Sequence, residues 1–373
     1  MDISFKFDPE VHIGADALSM AGTIAARHGS RIMIAADNGL DSQTVNRLKE
    51  ILEDSGLEAI VFDGVENDSA ENIAELSRAA HCDAIIGIGG QKAQICARMA
   101  AIMAPMRITA FELMDGRIFR NKFLPFISIP TEGTYAFSFT EYFIAADPRN
   151  RMIKSIPSPG NLYSAIILDG SLFKFNPGNA AAAVFESLFT AAEAYCSSKA
   201  NFLSDALLER ALTLLIKLMK STAQAGQPAF ADTFAQASFL SSYASFLSSP
   251  GIGAALSAAI NSRTPIERPI CSAVLFPVIA QRLISARPEK MARLASLMGA
   301  PKAATVAETA KTAADTIRRN MEALKVPLNL KEHNISLDRL TAAAEAARNM
   351  DFVANSPWPV SEEDIFNILK EIF

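Results

Sequence analysis

The chain has 373 residues, 50% of them hydrophobic and 20% charged, with a formal net charge of −5. That length buries a sizeable core and suggests two domains, while the negative balance and scattered Lys and Arg argue against a nucleic-acid partner and for a small-molecule one. Cys82, Cys96, Cys196 and Cys271 lie far apart with no CxxC pair, and no signal-peptide pattern opens the chain, so a reduced, cytoplasmic protein is expected.

The first half alternates strand-like and helical runs. Arg31 to Ala36 reads as a strand, followed by the turn Asp37-Asn38-Gly39 and an amphipathic helix from Ser42 to Ser55. Glu58 to Phe62 repeats the strand pattern, and Ser69 to Ala80 is helical with Ser69 as its N-cap. Ala84 to Ile88 is a third apolar run, leading through Gly89-Gly90 into a helical segment from Gln91 to Met103. Such β-α-β units with nearly continuous apolar strands predict a parallel sheet covered on both faces, whose ligand sits beyond the carboxyl ends of the strands.

From about Pro177 the patterning becomes Ala- and Leu-rich and helical, clearest in Val184 to Ser197, Ser204 to Lys220 and Lys302 to Leu324. Thr233 to Ser262 carries no formal charge, but Ser248-Ser249-Pro250-Gly251 interrupts it, which fits a buried helix pair better than a membrane segment. The expected organisation is an α/β domain over residues 1–176 and an all-helical domain over 177–373.

The turn at Gly89-Gly90 aims backbone N–H groups and a helix dipole at one point, an arrangement that suits a phosphate. A full dinucleotide fingerprint has three spaced glycines; here Gln91 and Lys92 follow the pair, so a nucleotide turn and a tight turn that binds nothing both remain open.

Across its length the chain resembles the iron-containing alcohol dehydrogenase family, whose neighbours include glycerol dehydrogenases and dehydroquinate synthases. The resemblance rests on Ile13 to Leu18, Asp37-Asn38-Gly39-Leu40, Val61 to Val65, Cys82-Asp83 through Gly89-Gly90, Ile129-Pro130-Thr131, Ala192-Glu193-Ala194-Tyr195, and Asn355-Ser356-Pro357 with the segment from Val360 to Ile365. It implies a Rossmann-like N-terminal domain, an all-α C-terminal domain, a homodimer, and hydride transfer between NAD and an alcohol or carbonyl substrate in a cleft between the domains.

The resemblance also implies one divalent metal held by an Asp and three His, yet the corresponding positions here are Glu186, Thr190, Arg268 and the neighbourhood of Ala254. A guanidinium offers only donors, so Arg268 cannot ligate a cation. The four histidines, His12, His28, His81 and His333, all lie outside Pro177 to Pro301, and no metal is expected. Arg268 could orient an acidic substrate, with Tyr135 or Lys92 supplying a proton; alternatively, Glu186 neutralises Arg268 and fills the vacated pocket.

Where the family's first glycine turn reads Gly-Gly-Gly-Ser, this chain has Gly89-Gly90-Gln91-Lys92, with Ile95 where an Asp follows. Its second nucleotide loop, Pro-Thr-Thr-Ala-Gly-Thr-Gly-Ser-Glu in the family, reads Pro130-Thr131-Glu132-Gly133-Thr134-Tyr135-Ala136-Phe137-Ser138. By correspondence, Asp37, Gly89, Gly90, Gln91, Lys92, Thr131 and Thr134 are the candidate cofactor residues, with Asp37 favouring NAD over NADP. An oxidoreductase with altered metal ligands is the leading expectation; the alternatives are a non-catalytic binding or regulatory protein and a non-redox sugar-phosphate cyclase.

Overall fold

Burial on both faces turns the apolar runs of the first half into central strands. The computed structural model describes residues 6–7, 9–116, 123–301, 303–333, 335 and 337–373, which divide into two units. Unit 1 comprises Met1–Gly133, Glu141–Arg149 and Ser155–Lys174; unit 2 comprises Thr134–Thr140, Asn150–Lys154 and Phe175–Phe373.

The chain runs through β1 (Glu10–Ile13), α1 (Ala21–Ala25), β2 (Arg31–Asp37), α2 (Ser42–Asp54), β3 (Glu58–Val65), α3 (Ala70–Ala79), β4 (Ala84–Gly89), α4 (Gln91–Met106), α5 (Ala110–Met114) and β5 (Phe126–Pro130). Then follow β6 (Tyr142–Ala146), β7 (Ile153–Pro157) and β8 (Tyr163–Leu168). Among the described residues six strands form one parallel sheet in the order β1-β8-β5-β4-β2-β3, and β6 pairs with β7 in a separate ribbon.

Alternation sorts the strand side chains into two cores. Ile32, Ile34, Ala36, Ala84, Ile86 and Ile88 pack on one face with Leu48 and Leu52 of α2. Met33, Ala35 and Ile85 pack on the other with α3 and α4. Because both faces are covered, β2 and β4 tolerate almost no polar residue, hence their unbroken apolar sequence.

Unit 2 is helical apart from its short excursions: α6 (Pro177–Cys196), α7 (Phe202–Met219), α8 (Pro228–Leu247), α9 (Ile252–Arg263), α10 (Arg268–Ala286), α11 (Pro288–Leu297), α12 (Val306–Lys311), α13 (Ala313–Ala323), α14 (Leu337–Arg348) and α15 (Glu362–Ile372). The charge-free stretch is the pair α8 and α9, broken at Ser248 to Gly251 as expected. By length and composition α10 is apolar enough to cross a membrane; it is largely buried, packed against α6, α9 and α13.

Two local expectations fail. Ser69 makes no side-chain cap on α3; its hydroxyl turns back to accept the Glu66 N–H at 2.9 Å. The helix expected from Lys302 to Leu324 is two helices, α12 and α13. Thr305 and Glu308 form a capping box that starts α12 later, while Thr312 bonds back to Thr309 O through both N–H (3.1 Å) and hydroxyl (2.7 Å) and ends it. Lys302 itself lies outside the described residues.

Candidate functional site

In unit 1 the strand order reverses between β2 and β4: β2 leads outward to β3, whereas β4 leads the other way to β5. Ligands of parallel sheets bind beyond the carboxyl ends of strands at such a reversal. Asp37 ends β2 and Gly89 ends its neighbour β4.

The turn between β4 and α4 is tight. Gly89 adopts φ +136°, a conformation that strains an L side chain, and a Cβ there would run into Asp37. Gly90 N–H donates to Asp37 Oδ2 at 2.9 Å, and Gln91 N–H donates to Glu132 Oε1 at 2.7 Å. Gln94 braces the turn: its side-chain Nε2 donates to Gly87 O at 2.9 Å, and its Oε1 accepts from Ser128 of β5 at 2.7 Å. Thr131 N–H closes onto Gly89 O at 3.1 Å. Lys92 Nζ meets Glu66 Oε2 at 3.1 Å. Hydrogen bonding from Asn38, at 2.8 Å, and then from Lys92 holds the Glu66 carboxyl below its usual range.

Thus Asp37, Gly89, Gly90, Gln91, Lys92 and Thr131 come together around one turn. Thr134 belongs to unit 2, where its hydroxyl lies 2.8 Å from that of Ser242 on α8. Glu132, which sequence reasoning noted only as a departure from pattern, proves to be a direct partner of the turn.

The other candidate residues form a cluster within unit 2. Arg268 is the first residue of α10, and Pro269 beside it suits a first helical turn. Its Nε–H donates to Glu186 Oε1 at 2.5 Å and its Nη2 to Oε2 at 3.1 Å, a two-pronged pairing with a residue in the middle of α6. The two side chains are only 8% and 4% exposed. Ser272 donates to the same carboxylate at 3.4 Å and lies 2.7 Å from Ser257, so a polar string runs through apolar helix packing. The Tyr135 ring lies beneath the guanidinium, 4.8 Å from its carbon. Cys271 is buried nearby; burial and the Glu186 charge push its thiol well up.

A second buried carboxylate, Glu193 of α6, was not singled out from sequence. Its oxygens accept the N–H groups of Gly253 at 2.7 Å and Ala254 at 3.0 Å at the start of α9. Burial raises its carboxyl, and the N–H groups of Ala254, Gly253 and Gly251 oppose that rise. Among the described residues no three His, Cys, Asp or Glu side chains cluster as a metal site.

A parallel sheet whose strand order reverses between β2 and β4, joined in one chain to a helical unit, defines a two-part architecture with an α/β and an all-α portion. The comparisons narrow it. The model for "Iron-containing alcohol dehydrogenase" matches residues 8–170, and that for "Fe-containing alcohol dehydrogenase family, C-terminal" matches residues 180–373. The chain belongs to the iron-containing alcohol dehydrogenase family, a family of oxidoreductases.

It is 25% identical to the 1,3-propanediol dehydrogenase of Citrobacter freundii over 371 residues, covering 96% of each. A solved 1,3-propanediol oxidoreductase superposes with a TM-score of 0.92 at 24% identity, covering 100% of both chains. Sulfoacetaldehyde reductase from Bifidobacterium kashiwanohense, solved with NAD+, superposes with a TM-score of 0.85 at 18% identity, covering 100% of this chain and 99% of that one.

Proposed function

We propose that this protein is an NAD-dependent oxidoreductase acting on a small alcohol or its carbonyl counterpart, with an arginine–glutamate pair in the place of the family's metal ligands. The observation that carries the cofactor reading is the meeting of Asp37 with the Gly89-Gly90 turn at the sheet's order reversal. The Asp37 Oδ2 is held by the Gly90 N–H, and the carboxylate would favour a ribose hydroxyl pair and disfavour a 2′-phosphate. Gly90, Gln91 and Lys92 would hold the pyrophosphate, with Thr131 and Thr134 as the further candidates from the second loop.

The donor set does not fit iron. Glu186 is committed to Arg268 in two-pronged fashion, and Thr190 and Ala254 offer no imidazole. A divalent cation placed there would face a fixed, desolvated positive charge. No step of the reaction is therefore assigned to a metal.

NADH, held at the Gly89-Gly90 turn, would supply hydride to a carbonyl carbon. As that bond forms, the carbonyl oxygen gains negative charge, which the Arg268 guanidinium stabilises in a water-poor setting. Tyr135 gives this oxygen a proton from its hydroxyl and regains one from solvent; in alcohol oxidation the same proton moves in reverse.

NADH-linked turnover of aliphatic and acid-bearing aldehydes, with and without a chelator, tests this reading. The expected result is turnover that survives chelation and is not raised by added Fe2+ or Zn2+; a strict need for added metal would overturn it. A second reading, a family member that binds without turnover, draws on the closure of the Arg268–Glu186 pair upon itself. NADH binding with no reduction of any tested aldehyde would establish that alternative.

A further inference from the structure

We infer that Glu132 is a built-in occupant of the phosphate turn, so that a dinucleotide's pyrophosphate binds only by displacing its carboxylate. This rests on the proposal that the turn receives NADH.

The turn carries its own anions. The Gln91 N–H, which opens α4 and points with the positive end of that helix, donates to Glu132 Oε1 at 2.7 Å. The preceding N–H, of Gly90, is taken by Asp37 at 2.9 Å. Lys92, whose ammonium would draw in a phosphate, lies 3.1 Å from the Glu66 carboxylate. The two backbone donors and the Lys92 ammonium therefore each face an internal carboxylate.

Geometry makes Glu132 the displaceable one. The carboxylate reaches the turn because residue 90 lacks a side chain: a Cβ there would stand 2.8 Å from Glu132 Cδ and 2.9 Å from Oε1. Glu132 is exposed, and it follows β5, the strand hydrogen-bonded beside β4. Asp37, by contrast, ends a central strand and is wedged against Gly89.

A carboxylate on a backbone N–H is a charge-assisted bond, and a phosphate must break it before making its own. Two like charges at one helix start also repel. Removing the Glu132 charge should therefore tighten phosphate-bearing ligands by at least about tenfold. A ligand without phosphate should gain nothing.

The test is calorimetric titration of the wild-type chain, Glu132→Gln and Glu132→Ala with NADH, ADP and adenosine. Glu132→Gln keeps an acceptor for the Gln91 N–H and removes only the charge. The expected result is NADH and ADP binding at least about tenfold tighter in both variants, with adenosine unchanged. Equal NADH affinity in all three proteins would overturn the inference and leave the NAD reading standing, as would weaker NADH binding in the variants. Equal tightening of adenosine would also overturn it, by showing a general opening of the pocket. Failure of all three folded proteins to bind NADH or ADP would overturn the NAD reading and this inference with it.

Discussion

Replacing Arg268 with methionine removes one half of a buried ion pair and strands the other. Glu186 is 4% exposed and loses the guanidinium bonds of 2.5 and 3.1 Å, while the hydroxyl of Ser272 still donates to it at 3.4 Å. Breaking such a pair from one side costs about 3–5 kcal/mol, because an uncompensated charge stays out of water. Glu186→Met should cost at least as much, since it leaves a cation at the positive end of α10. The double variant, Glu186→Met with Arg268→Met, should recover most of the loss, because two buried charges are exchanged for apolar surface of similar volume. For a unit of this size each kcal/mol moves the midpoint by roughly 2–4 °C, so each single variant should melt roughly 6–20 °C lower. The sole tryptophan, Trp358, lies in unit 2 with the pair, so its fluorescence follows the relevant unit even if the two units melt separately. The reasoning is refuted if both single variants lose less than about 1 kcal/mol, or if the double variant loses the sum of the two.

Three further outcomes are expected. Burial lifts the Cys96 and Cys196 thiols from 9.0 to about 12, so the folded state keeps protons that the unfolded chain releases; their contribution is complete below about pH 9 and is lost as pH rises toward 12. Denaturant midpoints measured across that range should fall, and Cys196→Ala should flatten the decline. Gly89→Ala forces a side chain into φ +136° and against Asp37, and should lower the melting temperature and weaken NADH binding together, read by calorimetry and titration. Asp37→Ser should narrow the difference between NADH and NADPH affinities in fluorescence titration; an unchanged ratio would remove Asp37 from cofactor choice.

The central strands were legible because both of their faces are buried, which leaves a continuous apolar signature. The edge strand β1, Glu-Val-His-Ile, is half-exposed and four residues long, and β7, Ile-Lys-Ser-Ile-Pro, alternates too briefly to stand out. Helix α6 begins seven residues before its periodic part, at Val184, because Asn176 caps Gly178 and Asn179 and the Ala-rich first turns lack contrast. The site was only partly legible for a related reason. Asp37 and the glycine turn carry local signals, and family resemblance brought Arg268 and Glu186 together across 82 positions. The bond from Gln91 to Glu132 spans 41 positions and that from Gly253 to Glu193 spans 60, and no periodicity encodes such meetings.

The Glu193 carboxylate at the start of α9 ties three positions into a single evolutionary choice. A Cβ at Gly251 would stand 2.9 Å from Glu193 Oε1, and one at Gly253 would stand 2.8 Å from it. A descendant that keeps the acid must therefore keep both small neighbours, whereas one that shortens residue 193 relieves position 251 first, because a Cβ at Gly253 would still stand 2.3 Å from Phe189 Cζ. Sequence drift at these sites should be correlated, and a lineage that changes one of them alone passes through a less stable ancestor.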